Sequence, residues 1–357
     1  MLTDILQRYM MEKLIDEKHP TVEYEHCTNN KQRKKQCTVC QDVCSKSVMN
    51  LSRDIQWDDC ENCNICAVQC PARAIKSSAI NLGKLLELCQ SKSGHVVITC
   101  RRRKKVEADL KLYCVASISW EVIAYLALEK RLVILKQGCE DCEDQGCLAA
   151  FEQTMARTEE FLGAEKYGES VRIIGEESLL PQAPEMSRRE LFALFGKRSK
   201  DAIGSMLPDD GSVQLDGMVY RKLLTKRMKQ LHDSGSEQAF GWSTRVFTEN
   251  CWGCGICAKV CPHGALEVTE RAGKRYMAHS LWRCERCGIC ESVCLEAGMS
   301  GTRIEYVMNP MPPVLTALTY DTCRTCGSPV KTGKPLCFDC AAKRPAGQGS
   351  PFIVPAS

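Results

Sequence analysis

The sequence predicts an α+β multidomain chain. Two cysteine-rich modules lie on either side of a small α/β domain with a parallel sheet, and a four-cysteine knuckle comes after the second module. Three observations lead to this architecture. Most of the 26 cysteines fall at residues 27–70, 251–294 and 323–340, and the two larger groups repeat one spacing plan. Residues 95–174 alternate short apolar segments with helical stretches, which is typical of parallel sheets. A length of 357 residues is enough for two or three domains.

Composition and cysteine usage indicate a cytoplasmic chain in a reducing compartment. The hydrophobic fraction of 44%, the charged fraction of 26% and the net charge of +4 are ordinary and favour no class of partner. Neighbouring cysteines lie two or three residues apart, a spacing that favours a shared metal over disulfides. Residues 1–20 carry charges throughout, and no run of 18 apolar residues occurs. We therefore expect neither a signal peptide nor a membrane span.

The second cysteine group consists of two runs with the same internal gaps. The runs are Cys251, Cys254, Cys257, Cys261 and Cys284, Cys287, Cys290, Cys294. One tetrahedral zinc takes four ligands, usually as two pairs, and fits eight such thiols poorly. The pattern resembles the bacterial two-cluster ferredoxin family over residues 245–300, in which three thiolates of one run and the last of the other hold each cluster. The resemblance implies two [4Fe–4S] clusters, one on Cys251, Cys254, Cys257 and Cys294 and the other on Cys284, Cys287, Cys290 and Cys261.

The first cysteine group follows the same plan with one departure. Its second run has the gaps of the ferredoxin family and consists of Cys60, Cys63, Cys66 and Cys70. Its first run consists of Cys27, Cys37, Cys40 and Cys44, and here nine residues separate the first two cysteines. The same crossover implies one [4Fe–4S] cluster on Cys44, Cys60, Cys63 and Cys66 and another on Cys37, Cys40, Cys70 and, through the longer loop, Cys27. His26 is a weaker substitute for Cys27. The insertion is basic, so we expect a raised reduction potential at the second of these clusters.

The middle segment predicts a parallel sheet that gathers thiols at one edge. Strands are predicted at 95–100, 109–114, 131–137 and 170–174, with helices at 119–130 and 147–162. Cys100 and Cys114 each end a predicted strand, and Cys139 follows a third, with Cys142 close behind. The carboxyl ends of parallel strands share one edge, so these thiols should meet there. Cys147 is a spare fifth thiol, and Cys89, on an apolar helix face, is predicted to be part of the core.

This order of strands and cysteines is similar to the iron–sulfur delta subunit of methanogen-type hydrogenases that work with heterodisulfide reductase. The similarity covers residues 95–150, from the strand before Cys100 to the Gly138-Cys139 loop. It implies a [2Fe–2S] cluster on Cys100, Cys114, Cys139 and Cys142, which relays electrons between a flavin-containing subunit and a hydrogenase or dehydrogenase. A zinc site and a thiol/disulfide pair are the alternatives for the same cysteines.

The last four cysteines predict a small zinc ribbon. They form two pairs separated by ten residues: Cys323, Cys326, Cys337 and Cys340. A bound zinc supplies folding free energy that so short a segment lacks. A rubredoxin-like iron site uses the same four sulfurs and is the alternative.

The predicted domains follow from these motifs and from the composition between them. Residues 1–80 contain an amphipathic helix at 2–16 and the first module, and residues 81–176 form the α/β domain. A linker at 177–240 leads to the second module at 241–310. The zinc ribbon is predicted at 318–344 and a disordered tail at 345–357. The linker contains amphipathic segments at 187–198 and 218–231. The second of these is basic and predicts either a solvated face or a dock for an acidic partner.

Together the motifs predict an electron-transfer subunit of an anaerobic oxidoreductase complex, of the hydrogenase, formate dehydrogenase or heterodisulfide reductase type. Expected partners are flavin-containing, hydrogenase or dehydrogenase subunits and soluble ferredoxin. No GxGxxG motif follows a predicted strand, and no catalytic residue is predicted. The alternative is a redox enzyme whose middle-domain cysteines reduce a disulfide or small molecule directly. Scattered positive charge and only 6% aromatic residues argue against nucleic-acid binding.

Overall fold

The computed structural model describes residues 19–31, 37–50, 55–77, 80, 82–91, 94–101, 106–135, 139, 142, 146–175 and 218–343. These residues form a mixed helix and sheet fold with several small sheets. The amphipathic segments predicted at 2–16 and 187–198, most of the predicted linker and the C-terminal tail lie outside the described residues. None of the described helices has the length and the apolar character needed to span a membrane.

The first cysteine-rich module is built from very short elements. Strands β1 (Thr21–Val22) and β2 (Ile75–Lys76) pair antiparallel. Between them lie three short helices: α1 (Thr28–Lys31), α2 (Val39–Asp42) and α3 (Ile65–Gln69). Elements this short bury little apolar surface of their own, so the module depends on packing and on whatever its thiols bind.

A four-stranded parallel sheet occupies the middle of the chain. Helix α4 (Leu82–Gln90) leads into it, and its strands are β3 (His95–Cys100), β4 (Leu110–Leu112), β5 (Arg131–Leu135) and β6 (Val171–Ile174). The strand order is β4-β3-β5-β6, and every pair is parallel. All four strands overlap the segments that the sequence predicts. The β4 strand is shorter than predicted, because Cys114 lies beyond it and caps a 3₁₀ turn, Val115–Ser117.

Three helices connect and cover these strands: α5 (Trp120–Glu129), α6 (Gly146–Leu162) and α7 (Ala164–Ser170). Helix α5 begins where the side chain of Ser119 accepts a hydrogen bond of 3.4 Å from the amide of Val122. Nearly all of this helix is buried, including the acid Glu121 in its first turn. A helix that is apolar on every side belongs in a core, and a charge within it needs a buried partner.

The last part of the predicted linker forms a packed helix, α8 (Val219–Asp233). Leu223, Leu224 and Met228 enter the same core cluster as the middle sheet. The sequence predicts a basic face exposed to solvent or to a partner, and at Arg221 this expectation is wrong. The Arg221 side chain is only 1% exposed, because two buried carboxylates pair with it.

The second module is framed by a long antiparallel pair, β7 (Phe240–Phe247) and β10 (Met299–Val307). The elements between these strands are α9 (Ile256–Val260), β8 (Leu266–Arg271), β9 (Lys274–His279), the 3₁₀ turn Leu281–Arg283 and α10 (Ile289–Ser292). Gly241 on β7 lies directly against helix α6. A β-carbon at this position would fall 2.0 Å from the carbonyl oxygen of Glu160, so only glycine allows this approach.

The C-terminal segment extends the second module and ends in the knuckle. Strand β11 (Val314–Ala317) pairs with β9, and a short hairpin follows, made of β12 (Asp321–Thr322) and β13 (Pro329–Val330). The last described helix is α11 (Phe338–Ala342).

One hydrophobic cluster joins both modules to the middle sheet. It contains Ile65 of the first module, Ile134 of the sheet, Leu224 of α8 and Phe240 at the start of β7. The rings of Phe161 and Phe240 stack with centroids 5.1 Å apart. Because this core is shared, the positions of the two modules relative to each other are set by the middle of the chain.

Candidate metal centres

In the first module, Cys27, Cys37, Cys40 and Cys70 are neighbours; we call them set B. Burial raises the pKa of the Cys40 thiol to about 11, and Cys70, Cys37 and Cys27 raise it further. The side chain of Asn29 spans the long gap in this run. Its amide nitrogen donates to the carbonyl of Cys37 at 2.8 Å, and its amide oxygen accepts from the backbone nitrogen of Cys37 at 2.7 Å. These two hydrogen bonds hold the α1 segment, and with it Cys27, beside the rest of the run.

The other four thiols of this module, Cys44, Cys60, Cys63 and Cys66, form set A. Burial raises the pKa of the Cys66 thiol, and the nearby thiols of Cys63, Cys44, Cys40 and Cys60 add to the rise. All four residues line one pocket together with apolar residues such as Trp57 and Met49. Because Cys40 belongs to set B, its proximity to Cys66 also shows that sets A and B are adjacent.

In the second module, Cys261, Cys284, Cys287 and Cys290 form set C. Burial raises the pKa of the Cys287 thiol to about 12, with further contributions from Cys290, Cys261 and Cys284. The four residues line a second pocket, together with His263, His279 and Glu285. Arg245 reaches the same set. Burial lowers the pKa of its guanidinium, but Cys290, Cys284 and Cys287 outweigh that effect and raise it.

The remaining thiols of the second module, Cys251, Cys254, Cys257 and Cys294, form set D. Burial raises the pKa of the Cys257 thiol to about 12, and Cys251, Cys254 and Cys290 raise it further. Burial also raises the pKa of Cys251, which has Cys254 and Cys294 as neighbours. Cys290 belongs to set C, so sets C and D are adjacent as well. Cys254 is exposed, which brings set D closest to solvent among the four sets.

The two modules share local backbone geometry, which makes the repeat structural. Cys70 and Cys261 each precede a proline and have closely similar backbone angles, φ −61° and ψ 112° against φ −66° and ψ 114°. Each sulfur accepts a hydrogen bond of 3.3 Å from the backbone nitrogen four residues on, from Ala74 and Ala265. The short helices that end just before these two cysteines, α3 and α9, each begin after a left-handed residue, Asn64 at φ 65° and Gly255 at φ 79°. Hydrogen bonds to sulfur are typical around iron–sulfur clusters.

The thiol sets of the modules fit a positively charged cluster. Burial raises the pKa of several thiols in each module, so without a cation they would stay protonated and could not act as thiolate ligands. A single zinc at about 2.3 Å from each sulfur would draw four sulfurs to about 3.8 Å from one another. Among the described residues, the sets A to D are not that compact. A cubane with four iron corners requires wider spacing than a single ion.

The knuckle has the compact geometry that the modules lack. The sulfurs of Cys323, Cys326, Cys337 and Cys340 all lie within 4.8 Å of one another. The Cys326 and Cys337 sulfurs are 3.6 Å apart, close to the spacing around one tetrahedral ion of about 3.8 Å. The β12–β13 hairpin supplies the first pair, and α11 begins at the second, where the backbone nitrogen of Cys340 donates to the Cys337 sulfur at 3.4 Å.

The structure places Cys100 and Cys114 at one edge of the middle sheet and brings Cys139 and Cys142 next to each other. Cys100 is the last residue of β3 and pairs in parallel register with Leu112, so Cys114 lies just beyond the same edge of the sheet. The thiol of Cys114 is a neighbour of Cys63 in set A and helps raise the pKa of Cys63, which burial raises most. Cys142 donates its backbone N–H to the Cys139 carbonyl at 3.3 Å.

The two cysteines set apart in the sequence are packed into apolar surroundings. Cys147 is only 6% exposed and belongs to the large core cluster, and Cys89 packs against that cluster. Burial raises the pKa of the Cys89 thiol to about 12.

A cluster of buried charges, absent from the sequence-based prediction, lies where the modules and the middle domain meet. We call it the junction network; its members are Arg73, Glu121, Arg157, Arg221 and Glu285. Arg221 contacts Glu121 at 3.0 Å and Glu285 at 2.9 Å, and Arg73 pairs with both carboxylates, at 2.7 Å for Glu285. Burial alone would raise the pKa of Glu285, but Arg221, Arg73 and Arg157 together lower it. The one sequence signal was the isolated acid at position 121 within an apolar helix.

The two modules also touch next to sets B and C. The Nε2–H of His263 donates a hydrogen bond of 3.0 Å to the carbonyl of Ala72. The rings of His26 and His263 lie 6.3 Å apart, and Lys31 Nζ is 3.5 Å from the carbonyl of Val260. Ala72 is two residues after Cys70, and His263 is two residues after Cys261.

Comparison with known proteins assigns one of these modules. Residues 250–297 match the family model of the 4Fe-4S dicluster domain. No curated protein and no solved structure matches the chain. The similarity of residues 95–150 to a hydrogenase delta subunit therefore has no support from these comparisons. The second cysteine-rich module is an iron–sulfur, ferredoxin-like domain that binds [4Fe–4S] clusters, and it provides the chain with iron–sulfur electron-transfer chemistry.

Proposed function

We propose that the chain is an electron carrier with four [4Fe–4S] clusters, one on each of the sets A to D. The observation that carries this proposal is the repeat between the modules. The first module groups its thiols and shapes the loop around Cys70 in the way that the family-matched second module does around Cys261. A [4Fe–4S] cluster accepts and returns one electron at a time. Several such centres in one chain suit stepwise transfer across a distance that a single centre cannot span.

In this proposal the protein's residues hold each cluster and tune it. Cys27 supplies the fourth thiolate of set B, and the Asn29 hydrogen bonds keep it in reach. Backbone N–H groups point at the sulfurs of Cys70, Cys261 and Cys294. Such bonds stabilise negative charge on the sulfurs and raise the reduction potential.

The middle domain contributes a fifth centre, a [2Fe–2S] cluster on Cys100, Cys114, Cys139 and Cys142. Its support is the strand register that brings Cys100 and Cys114 to one edge of the sheet, and the proximity of Cys114 to Cys63. A redox centre next to set A extends the series of clusters, whereas a structural zinc gains nothing from that position. The alternative of a substrate-reducing enzyme with Cys147 as its spare thiol is disfavoured, because Cys147 is buried in the core.

The knuckle holds one zinc in this proposal, on Cys323, Cys326, Cys337 and Cys340. The support is the 3.6 Å separation of two of its sulfurs, which suits a single ion. The ion pair of Lys331 with Glu296, at 2.5 Å, attaches the knuckle to the second module near set D. The zinc therefore has a structural or docking role.

The chain works as a cytoplasmic subunit of an anaerobic oxidoreductase complex of the hydrogenase, formate dehydrogenase or heterodisulfide reductase type. Its partners are flavin-containing, hydrogenase or dehydrogenase subunits, or soluble ferredoxin. Set D offers a contact for such a partner. Beside the exposed Cys254, the side chains of Ile256 and Leu295 are 41% and 80% exposed, and exposed apolar groups favour protein contacts.

Reductive titration under anaerobic conditions tests the proposal. Dithionite should bleach the visible absorbance and deliver about four electrons per chain, or about five if the [2Fe–2S] cluster is present. An oxidised viologen should then recover these electrons. A protein that contains iron and sulfide but accepts no electrons above the potential of dithionite would overturn the assignment as a carrier.

A further inference from the structure

The four thiol sets lie in a single series. Cys66 of set A is a neighbour of Cys40 in set B, and Cys257 of set D is a neighbour of Cys290 in set C. Between sets B and C, His263 donates a hydrogen bond to the Ala72 carbonyl, and Arg73 pairs with Glu285. The order along the molecule is therefore A, B, C and D, with the Cys114 edge of the middle sheet beyond set A.

The contact between sets B and C is short and is braced from several sides. The loop after Cys70 carries Ala72 and Arg73, and the loop after Cys261 carries His263. Arg73 pairs with Glu285, which lies between the set C residues Cys284 and Cys287. Arg221 also binds this loop, since its Nη1 atom donates to the Cys284 carbonyl at 2.8 Å. Side chains fixed by such a second layer of contacts hold a site with the accuracy that function requires.

We propose that electrons pass between the two modules where the Cys70 loop meets the Cys261 loop, and that His263 is the positioning residue that holds these loops together. This inference rests on the proposed function and names the crossing point. Clusters held by sets B and C would exchange one electron at a time, one being oxidised as the other is reduced, with no bond made or broken. A low-potential one-electron donor supplies the electron at one end, and a one-electron acceptor removes it at the other.

The test is pulsed EPR on partly reduced, anaerobically purified full-length protein. The dipolar coupling between reduced clusters reports their separation, and iron and sulfide analysis reports their number. In the wild type we expect a coupling between the modules in addition to the couplings within each module. His263→Ala should keep the wild-type iron content and broaden the coupling between the modules, because the hydrogen bond that joins the two loops is lost while Arg73 still pairs with Glu285.

Two further variants separate positioning from folding. His263→Gln should retain the coupling, since an amide N–H can also donate to the Ala72 carbonyl. His232→Ala is the matched control, because His232 is an exposed histidine on α8. It should leave both the iron content and the coupling unchanged.

Each outcome decides the inference. Unchanged coupling between the modules in His263→Ala would overturn it. If His263→Ala loses iron, Lys31→Ala replaces it, because Lys31 reaches the Val260 carbonyl across the same junction. Full iron with a broadened coupling in that variant supports the inference, and full iron with unchanged coupling overturns it. Failure of the proposed function is distinct, since wild-type protein would then show no cluster signal, or only the signals of the second module.

Discussion

Arg73 of the first module and Glu285 of the second form an ion pair in which Arg73 Nε and Glu285 Oε1 are 2.7 Å apart. Arg221 from helix α8 binds the same carboxylate and also Glu121 of the middle domain. Three parts of the chain thus share one group of buried charges. Charges lose much hydration free energy on burial, so each depends on its partners remaining in place.

The junction network should make Arg221 essential to stability. Arg221→Met leaves Glu121 and Glu285 buried with fewer partners, and breaking a buried pair costs about 3–5 kcal/mol. We expect the free energy of unfolding in a denaturant titration to fall by that amount. The matched control is Lys229→Met on the same helix, whose pair with Asp233 is exposed and should be worth less than about 1 kcal/mol. Equal effects of the two substitutions would contradict the assigned role of the network.

Cys27 should be the fourth ligand of set B in spite of the long insertion. Cys27→Ser leaves three thiolates, so we expect one cluster to lose an iron or to convert to a three-iron form, visible in the EPR spectrum of the oxidised protein. The control is Cys89→Ala, which removes a thiol that belongs to no set. Wild-type iron and spectra in Cys27→Ser would exclude Cys27 as a ligand.

Arg245 should raise the reduction potential of the set C cluster. Its positive charge lies beside Cys290, Cys284 and Cys287 and favours the more negative, reduced state. Arg245→Gln should therefore lower one midpoint potential in an EPR-monitored titration and leave the others in place. Arg271→Gln, which alters an exposed arginine at the end of β8, serves as control. A raised or unshifted potential in Arg245→Gln would rule out this electrostatic role.

The knuckle should bind its metal independently of the clusters. Cys326→Ser removes one of four sulfurs that lie within 4.8 Å of one another, so the zinc content should fall from about one per chain to none. Iron and sulfide should stay at wild-type levels, as measured by elemental analysis. Loss of iron with zinc retained would assign this quartet to iron instead.

Cys89 should resist alkylation in the folded protein. Burial raises the pKa of its thiol to about 12, and only the thiolate reacts with iodoacetamide. Between pH 7 and 10, peptide mass spectrometry should find Cys89 labelled far more slowly in native protein than in urea. Because the folded pKa is raised, the unfolded chain releases this proton first, so the contribution of Cys89 to stability is lost as the pH rises above about 8.5. Equal labelling rates in native and unfolded protein at pH 8 would contradict the burial.

The sequence predicts the parts of this molecule that depend on local pattern. The apolar run that ends at Cys100 predicts strand β3 to the residue, and the spacing of the second module agrees with the dicluster family match. Spacing alone does not reveal how the nine-residue gap after Cys27 closes, because the closure depends on Asn29, an ordinary polar residue in the sequence.

Local sequence patterns do not predict which charged residues pair with each other across long distances in the chain. Glu121, Arg221 and Glu285 are up to 164 residues apart in sequence, and Arg221 and Glu285 are each typical of a solvated surface charge. Nothing in a helical or strand period indicates that these charges meet in one buried place. The basic pattern of α8 therefore predicts an exposed face, and the fold instead buries Arg221.

The most direct test of the central claim, that the thiols of both modules hold four cubane clusters, is metal analysis of anaerobically purified protein together with low-temperature EPR of its reduced form. The account predicts about 16 iron and 16 sulfide from the cubanes, rising to about 18 of each with the [2Fe–2S] cluster, and one zinc. About 16 iron with two zinc would keep the four cubanes and assign the middle-domain cysteines to zinc. Colourless protein without acid-labile sulfide, or with only the iron of one module, would contradict it.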